Sequence, residues 1–185
     1  MRVGILAVQG AFAEHEDVLK KLGAETILLR QKDDIKNIDV LVLPGGESTV
    51  QGKLIKELNM YNPLKELINS GIPVLATCAG LILLSERIAN DPNTYLGTLP
   101  VTVKRNAYGR QLGSFNTIGN VGELPDFKMS FIRAPIIESV SDGVEILASV
   151  DEKIVGVRYK NQIGLSFHPE ISGDTRIHEY FLKSI

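Results

Sequence analysis

Cys78 is the only cysteine of the chain, and its sequence context suits a nucleophile. It follows the apolar run Pro73–Thr77, which predicts a buried strand, and small residues surround it at Ala76, Ala79 and Gly80. A tight turn from a strand into a helix needs such small neighbours and lifts the side chain clear of the sheet. The N-terminus of the following helix would favour the thiolate, and the backbone N–H of Ala79 would face a developing oxyanion. Position alone leaves a buried structural cysteine as an equal alternative.

A nucleophilic thiol requires a base, and the base requires a third group that sets its tautomer. His168 follows the apolar run Ile163–Phe167, which predicts a strand, and Glu170 comes just beyond the rigid Pro169. If that strand lay beside the strand before Cys78, the thiol, imidazole and carboxylate would share one rim of the sheet. The alternative is an edge histidine followed by a turn proline.

The two other histidines are predicted to be solvated surface residues. His15 lies on a polar face of a predicted helix, and His178 lies in the predicted terminal helix. Both are therefore poorer candidates for a base than His168.

Residues 44–48, Pro-Gly-Gly-Glu-Ser, form a second informative loop at a predicted strand end. Gly45 and Gly46 let backbone N–H groups approach a ligand closely, so the loop could supply an oxyanion donor or contacts to an amino-acid substrate. A turn followed by a helix that Ser48 caps explains the same residues. The glycine-lysine-serine signature of a phosphate loop is absent from the sequence, and Gln9–Gly10 is insufficient as a dinucleotide fingerprint.

Two arginine segments follow predicted strands: residues 105–110 (Arg-Asn-Ala-Tyr-Gly-Arg) and residues 132–135 (Ile-Arg-Ala-Pro). Either segment could bind a carboxylate through the two-pronged guanidinium group. A surface ion pair is the favoured interpretation of each segment when it is taken alone.

The elements that must position these residues alternate between strands and helices in the first half of the chain. Apolar runs predict strands at 3–8, 26–29, 40–43 and 73–77. Helices are predicted at 12–22, from Ser48 or Thr49 to about 58, after Asn62–Pro63, and through 84. This rhythm implies a parallel sheet with helices on both faces. Function in such sheets lies at the carboxyl ends of the strands, which selects the loops at 9–10, 44–48, 77–80 and 168–170.

The second half changes to short strands separated by turns, which predicts antiparallel additions to a mixed sheet. The predicted strands are 101–105, 114–118, 128–132, 144–150, 154–159 and 163–167, with a hairpin turn at Asn161–Gln162. Asp174 is predicted to cap a last helix, whose apolar side carries Ile177, Tyr180, Phe181 and Ile185.

Length and composition predict a single α/β domain over residues 1–185, with 44% hydrophobic and 23% charged residues. The 20 Lys and Arg residues against 22 Asp and Glu residues give a net charge of -2, which does not support nucleic acid or an acidic membrane as partner. One cysteine excludes an intrachain disulfide and an all-cysteine metal site. The sequence has no apolar run of signal-peptide form and none near the length of about 18 residues that spans a bilayer, so a cytoplasmic setting is expected.

Taken together, the loops resemble those of class I, or triad, glutamine amidotransferases, and within that superfamily the glutaminase subunits of pyridoxal 5′-phosphate synthases. The segments that carry the resemblance run in order along essentially the whole chain: 6–12, 43–49, 77–80, 105–111, 131–135 and 167–170. The cysteine and His-Pro-Glu segments specify only the superfamily. The combination of Gln-Gly-Ala, Gly-Gly-Glu-Ser and Arg-Asn-Ala-Tyr-Gly is much more specific. Ala76 departs from the family pattern, in which the elbow begins with glycine.

The resemblance implies a flavodoxin-like fold and hydrolysis of L-glutamine to L-glutamate and ammonia through a cysteine thioester. It implies Cys78 as nucleophile, His168 as base and Glu170 as the partner that orients the base. Backbone N–H groups of Ala79 and of Gly45 or Gly46 would stabilise the oxyanion. The expected glutamine contacts are Gly46, Glu47, Ser48, Arg105, Ile132 and Arg133. No metal and no organic cofactor is expected.

The resemblance also implies a partner, the barrel-shaped synthase subunit, which forms a ring with glutaminases on its periphery. Docking on the synthase would activate the glutaminase, with the loop at Gln9–Gly10 as the point of coupling. A single domain that holds a glutaminase site has no room for an ammonia-accepting synthase, which independently argues for a partner chain. Two alternatives remain: a glutaminase that serves a different synthase, and a non-enzymatic flavodoxin-like module in which Cys78 is a structural or redox thiol.

Overall fold

The computed structural model describes residues 1–89, 91–108 and 113–184, so the predictions that involve Gly109, Arg110, Gln111 and Ile185 lie outside the described residues. The first part of the chain alternates strands with helices, as the apolar runs predict. Its elements are β1 (Arg2–Leu6), α1 (Phe12–Lys21), β2 (Glu25–Leu29), a 3-10 helix (Lys32–Ile35), β3 (Val40–Leu43), α2 (Ser48–Glu57), α3 (Tyr61–Asn69), β4 (Val74–Thr77) and α4 (Ala79–Leu84).

Strands predominate in the rest of the chain. They are β5 (Ser85–Ile88), β6 (Leu99–Lys104), β7 (Ser114–Val121), β8 (Leu124–Ile132), β9 (Ile136–Val140), β10 (Glu145–Val150), β11 (Lys153–Tyr159) and β12 (Gln162–Leu165). A 3-10 helix (Pro169–Ile171) and α5 (Arg176–Lys183) complete the described part. Strands β5 and β9 were not predicted from the sequence, because they are short and expose two residues each, so neither has a distinct apolar pattern.

Ten strands form one mixed sheet in the order β2-β1-β3-β4-β12-β11-β9-β6-β5, with β10 paired to β11, while β7 and β8 form a separate hairpin. The neighbours β2, β1, β3, β4 and β12 are all parallel, and β11 is antiparallel to β12. This arrangement confirms the predicted mixed sheet with antiparallel additions in the second half. The pairing of β12 with β4 runs from Gln162 opposite Val74 to Leu165 opposite Thr77. The segments that follow these two strands therefore leave the sheet at the same edge.

Both faces of the sheet are covered, because successive residues of each buried strand point to opposite sides. One face packs against α2, α3 and α4, with Ile55 and Leu64 fully buried there. The other face packs against α1, α5 and the β7–β8 hairpin, which contribute Leu19, Phe181 and Phe131. The covering helices hold the parallel strands, and with them the loops at their carboxyl ends, in a fixed arrangement.

Two helix starts differ from the predictions. Ser48 is the first residue of α2 rather than its cap, since Glu47 occupies the capping position without a side-chain hydrogen bond. Helix α3 begins at Tyr61, so Asn62 and Pro63 lie inside its first turn, where the missing N–H of proline is tolerated. Within the part of the chain that the structure describes, no helix is long and apolar enough to cross a membrane.

A hairpin turn and a helix cap near the end of the chain are each shifted by one residue from their predicted positions. The hairpin between β11 and β12 pairs Tyr159 with Gln162, so residues 160–161 form the turn. Thr175 is the N-cap residue of α5, and Asp174 still serves the helix start because its carboxylate accepts the N–H of Arg176 at 3.0 Å.

Candidate active site

Cys78 lies in a strained turn between β4 and α4. Its backbone has φ 47° and ψ -102°, a conformation that costs a residue with a side chain on the order of 1–3 kcal/mol. Its N–H donates to the carbonyl oxygen of Leu165 on β12 at 2.8 Å. A Cβ on Gly80 would lie 2.0 Å from the carbonyl oxygen of Leu43, so only glycine lets α4 begin this close to β3. The predicted elbow is therefore present, with Cys78 at the N-terminus of a helix.

His168 reaches the same edge of the sheet just beyond β12. Its backbone N–H donates to the carbonyl oxygen of Ser130 on β8 at 2.8 Å, which ties the loop to the hairpin. Its ring Nδ1 lies 2.6 Å from Oε1 of Glu170, and the Glu170 side chain is fully buried. A Cβ on Gly45 would lie 2.4 Å from the His168 ring and 3.4 Å from Cβ of Cys78. The fold thus brings the thiol, imidazole and carboxylate together against the glycine loop.

The charges of this group are set by burial and by the hydrogen bonds within it. Burial alone would lower the pKa of His168, but hydrogen bonds to Cys78 and Glu170 and the negative charge of Glu170 raise it to about 10. Burial would raise the pKa of Glu170, but the hydrogen bond from His168 and the positive charge of His168 lower it. Burial lowers the pKa of His15, so the positive charge that Glu170 faces belongs to His168. At neutral pH the pair is an imidazolium and a carboxylate.

A cavity of about 320 Å³ opens above the thiol. Its lining includes most of the residues that the sequence analysis selected: Gln9, Gly45, Gly46, Glu47, Ser48, Cys78, Arg105, Ile132, Arg133 and His168. The remaining selected residues do not line it: Gly10 and Ala79 adjoin lining residues in sequence, and Glu170 lies behind His168. Sγ of Cys78 lies 4.0 Å from the carbonyl oxygen of Ile132 at the cavity wall.

Two arginines supply positive charge to the cavity from different settings. Arg133 pairs with the Glu47 carboxylate across the cavity at 2.8 Å, and both side chains are more than half exposed. Arg105 is held by the carboxylate of Asp91 at 2.5 Å and by the hydroxyl of Tyr95 at 3.1 Å. Each arginine therefore forms an ion pair, as the simpler interpretation of its segment predicts, and each also lines the cavity.

The loop at Gln9–Gly10 is joined to the glycine loop by several contacts. Oε1 of Gln9 accepts the backbone N–H of Glu47 at 2.8 Å, and the N–H of Ala11 donates to the carbonyl oxygen of Gly45 at 3.0 Å. A Cβ on Gly10 would lie 1.9 Å from that same oxygen, so the two backbones are in direct contact. A displacement of one loop must therefore move the other.

The surface prediction for His15 and His178 is wrong, since both side chains are fully buried. His15 lies one helical turn before Leu19, and these are the two buried residues of α1. His178 adjoins Ile177 and Phe181 on the buried face of α5. The spacing of His15 from Leu19 places both on one helix face, and this signal was available in the sequence.

The sequence analysis also missed several residues around the cavity. Ala11, Ile82 and Asn106 line it, and Asp91 and Tyr95 hold Arg105 from behind. Ala11 and Asn106 belong to segments that had been selected as wholes. Asp91 and Tyr95 lie in a segment without periodicity, so no sequence signal pointed to them.

Comparisons with known proteins agree with this geometry. A model of the SNO glutamine amidotransferase family matches residues 5–185. The chain is 66% identical to "Pyridoxal 5'-phosphate synthase subunit PdxT" of Desulfitobacterium hafniense strain Y51, over 100% of this chain and 94% of that protein. It is 52% identical to the protein of the same name from Streptococcus pneumoniae strain ATCC 700669, over 99% and 97% of the two chains.

Solved structures are similar over nearly the whole chain. A structure described as "Crystal structure of glutamine amidotransferase" superposes with a TM-score of 0.94 at 41% identity, covering 98% of this chain and 97% of that one. "Structure of PurLQS from Thermotoga maritima" matches with a TM-score of 0.69 at 19% identity, covering 99% and 97%. Because its sequence identity is low, the second match shows a similarity of fold and nothing more.

Proposed function

Because the chain belongs to the SNO glutamine amidotransferase family, we propose that it hydrolyses L-glutamine to L-glutamate and ammonia and supplies the ammonia to pyridoxal 5′-phosphate synthesis. The observation that carries the proposal is the buried contact of Cys78, His168 and Glu170 at one edge of the sheet. A cavity large enough for an amino acid opens directly onto the thiol. Residues 1–185 would act as one glutaminase domain.

In the first step, the Cys78 thiolate attacks the side-chain amide carbon of glutamine and forms a tetrahedral oxyanion. The N–H of Ala79, at the start of α4, and an N–H of the Gly45–Gly46 loop would stabilise that negative charge. Because the pKa of His168 is raised to about 10, its imidazolium holds a proton at neutral pH. It gives this proton to the departing nitrogen as the carbon–nitrogen bond breaks, which leaves a thioester and ammonia.

In the second step, His168 is neutral and removes a proton from water as the water oxygen attacks the thioester carbon. The carbon–sulfur bond breaks, Cys78 leaves as thiolate, and glutamate is released. The carboxylate of Glu170 holds the imidazole by its Nδ1 through both steps, so Nε2 remains directed at the reacting atoms.

The charged rim of the cavity suits the two charged groups of a free amino acid. Glu47 offers a carboxylate to the α-ammonium group, and Arg105 and Arg133 offer guanidinium groups to the α-carboxylate. The backbone at Gly46, Ser48 and Ile132 would line the side-chain amide. The exposed ion pair between Glu47 and Arg133 would open as the substrate replaces each partner.

The ammonia requires an acceptor on another chain. Ammonia is mostly ammonium in neutral water and is then a poor nucleophile, so direct transfer conserves the reactive form. The relatives are named as subunits of a pyridoxal 5′-phosphate synthase, which supports another subunit of that synthase as the acceptor. We place the glutaminases on the periphery of a ring of synthase subunits, with the Gln9–Gly10 loop as the contact that activates the site.

The test measures glutamate release by the purified chain with and without the synthase subunit. We expect release that depends on the synthase, and its loss in Cys78→Ala and Cys78→Ser. Arg158→Gln, on β11 away from the cavity, is the control and should keep the activity. Unchanged glutamate release by Cys78→Ala would refute the proposal, and failure of a diazo-ketone glutamine analogue to label Cys78 would support a non-enzymatic module instead.

A further inference from the structure

Behind the triad lies a buried chain of polar contacts that the mechanism above does not use. Nε2 of His15 lies 3.4 Å from Oε2 of Glu170 and 3.1 Å from the hydroxyl oxygen of Thr77. Nδ1 of His15 lies 3.0 Å from Nε2 of His178. The chain thus runs from α5 through α1 to the carboxylate oxygen that His168 leaves free, and to the residue that precedes Cys78.

The unpaired atoms of this chain select one pair of tautomers. Among the residues that the structure describes, Oε2 of Glu170 has no hydrogen-bond partner within ordinary distance, and neither has Nδ1 of His178. If His15 carried its proton on Nδ1, its Nε2 lone pair would face the carboxylate and His178 would bury an unpaired N–H. If both rings carry the proton on Nε2, His178 donates to His15, and the N–H of His15 is shared between the Thr77 hydroxyl oxygen at 3.1 Å and Oε2 of Glu170 at 3.4 Å. The second arrangement places a donor at the buried carboxylate and leaves only an acceptor nitrogen unpaired.

Burial keeps both rings neutral, which this arrangement requires. Burial lowers the pKa of His15, and burial together with His15 lowers the pKa of His178 to about 3. Neutral rings leave His168 as the positive charge beside Glu170. Among the described residues, no group of three or more His, Cys, Asp and Glu side chains could hold a metal ion.

We propose that His15 and His178 are positioning residues, which hold the Glu170 carboxylate so that its other oxygen stays on Nδ1 of His168. This inference deepens the proposed function and rests on it. His178 sets the tautomer of His15, and His15 supplies the donor that orients the carboxylate. Without that donor, the carboxylate can rotate away from His168, and the imidazole loses its fixed orientation toward Cys78.

The first test reads the tautomers of the wild-type chain by ¹⁵N–¹H NMR of the histidine rings at neutral pH. We expect His15 and His178 to be protonated on Nε2 alone, and His168 on both nitrogens. Protonation of His15 on Nδ1 would overturn the proposal. This measurement needs neither glutamine nor the synthase, so its outcome is independent of the proposed function.

The second test compares four variants in glutamate release with the synthase subunit present. His15→Leu removes the donor, and we expect kcat to fall about 10- to 100-fold with KM unchanged, a loss of the size known for hydrogen-bonding partners behind metal ligands. His15→Gln returns an N–H near the position of Nε2 and should recover most of kcat. His178→Leu should lower kcat less than His15→Leu, and His178→Gln should restore it.

Leu19→Ala is the matched control, because Leu19 is buried one turn further along α1 and has no part in the chain of polar contacts. It should lower the melting temperature while kcat per folded molecule stays at the wild-type value. The proposal is overturned if His15→Leu keeps its kcat, or if His15→Gln is no better than His15→Leu. If His15→Leu does not fold, the contrast between the two His178 variants decides by the same criteria. Wild-type activity in the same assay reports separately on the proposed function.

Discussion

At the residue scale, the reactive group combines local strain with partners brought from distant parts of the chain. Cys78 is held at positive φ by the turn into α4, and its imidazole partner arrives from the segment after β12. Against the effect of burial, the hydrogen bond with Cys78 and the hydrogen bond and charge of the buried Glu170 raise the pKa of His168 and favour its protonated form. The charge that the proposed mechanism uses is therefore also linked to folding stability.

That linkage predicts how stability depends on pH. The pKa of His168 is raised from 6.5 to about 10, so its contribution is fully present below pH 6.5 and is lost as pH rises toward 10. In Glu170→Gln the carboxylate is gone, the pKa of His168 falls, and the loss of unfolding free energy between pH 6.5 and 10 should be smaller. Urea unfolding at both pH values measures the difference. Glu66→Gln, an exposed carboxylate on α3, should keep the wild-type slope, and an equal change in both variants would contradict the assignment.

At the element scale, the site depends on parallel strands that end side by side. The strands β1, β3, β4 and β12 place the Gln9–Gly10 loop, the glycine loop, Cys78 and His168 along one edge. Helix α4 must start against β3 for Cys78 to project into the cavity, and Gly80 permits that contact. Ala76, where the resemblance led us to expect glycine, is fully buried in β4 and pairs with Leu43 and Gly164.

Substitutions of the small residues on either side of Cys78 should distinguish effects on the geometry of the site from effects on the stability of the protein. Gly80→Ala drives a methyl into the carbonyl of Leu43, so we expect loss of glutaminase activity and about 1–3 kcal/mol of unfolding free energy. Ala76→Gly should cost about 1 kcal/mol through added freedom of the unfolded chain, with activity retained. Denaturant unfolding and glutamate release are measured together on both variants. Retained activity in Gly80→Ala would show that α4 tolerates displacement.

At the scale of the whole molecule, the chain holds a site for releasing ammonia, and the proposed function requires an acceptor on another subunit. The Gln9–Gly10 loop is the connection that we propose between docking and catalysis. Gln9 accepts the N–H of Glu47, and Nε2 of Gln51 donates to the carbonyl oxygen of Gln9 at 2.9 Å. A partner that pushes on this loop would reach the glycine loop through these bonds.

Removing the Gln9 side chain should weaken that coupling. In Gln9→Ala we expect the stimulation of glutamate release by the synthase to fall about 2- to 10-fold, the equivalent of one hydrogen bond of about 0.5–1.5 kcal/mol. Asn69→Ala removes an exposed amide at the end of α3 and is the control. The ratio of activities with and without synthase is measured for both variants. Full stimulation of Gln9→Ala would exclude this loop as the point of coupling.

The sequence by itself determined the local features of the site. The apolar runs before Cys78 and His168 predict strands, and the small residues after Cys78 predict the turn, because these signals act over a few neighbouring residues. The alternation of strands and helices predicts that the loops after parallel strands share one edge. The glycines at 45 and 46 mark a close approach of backbones without showing what approaches them.

Only the tertiary structure decided which distant groups meet. The pairing of β12 with β4 joins His168 to Cys78, and no pattern within either strand specifies its neighbour. Burial of His15 and His178 follows from the packing of α1 and α5 over the sheet, which turns two apparent surface histidines into partners of Glu170. Hydrogen bonds and burial depend on atoms brought together by the whole fold, whereas the elbow at Cys78 depends on its immediate neighbours.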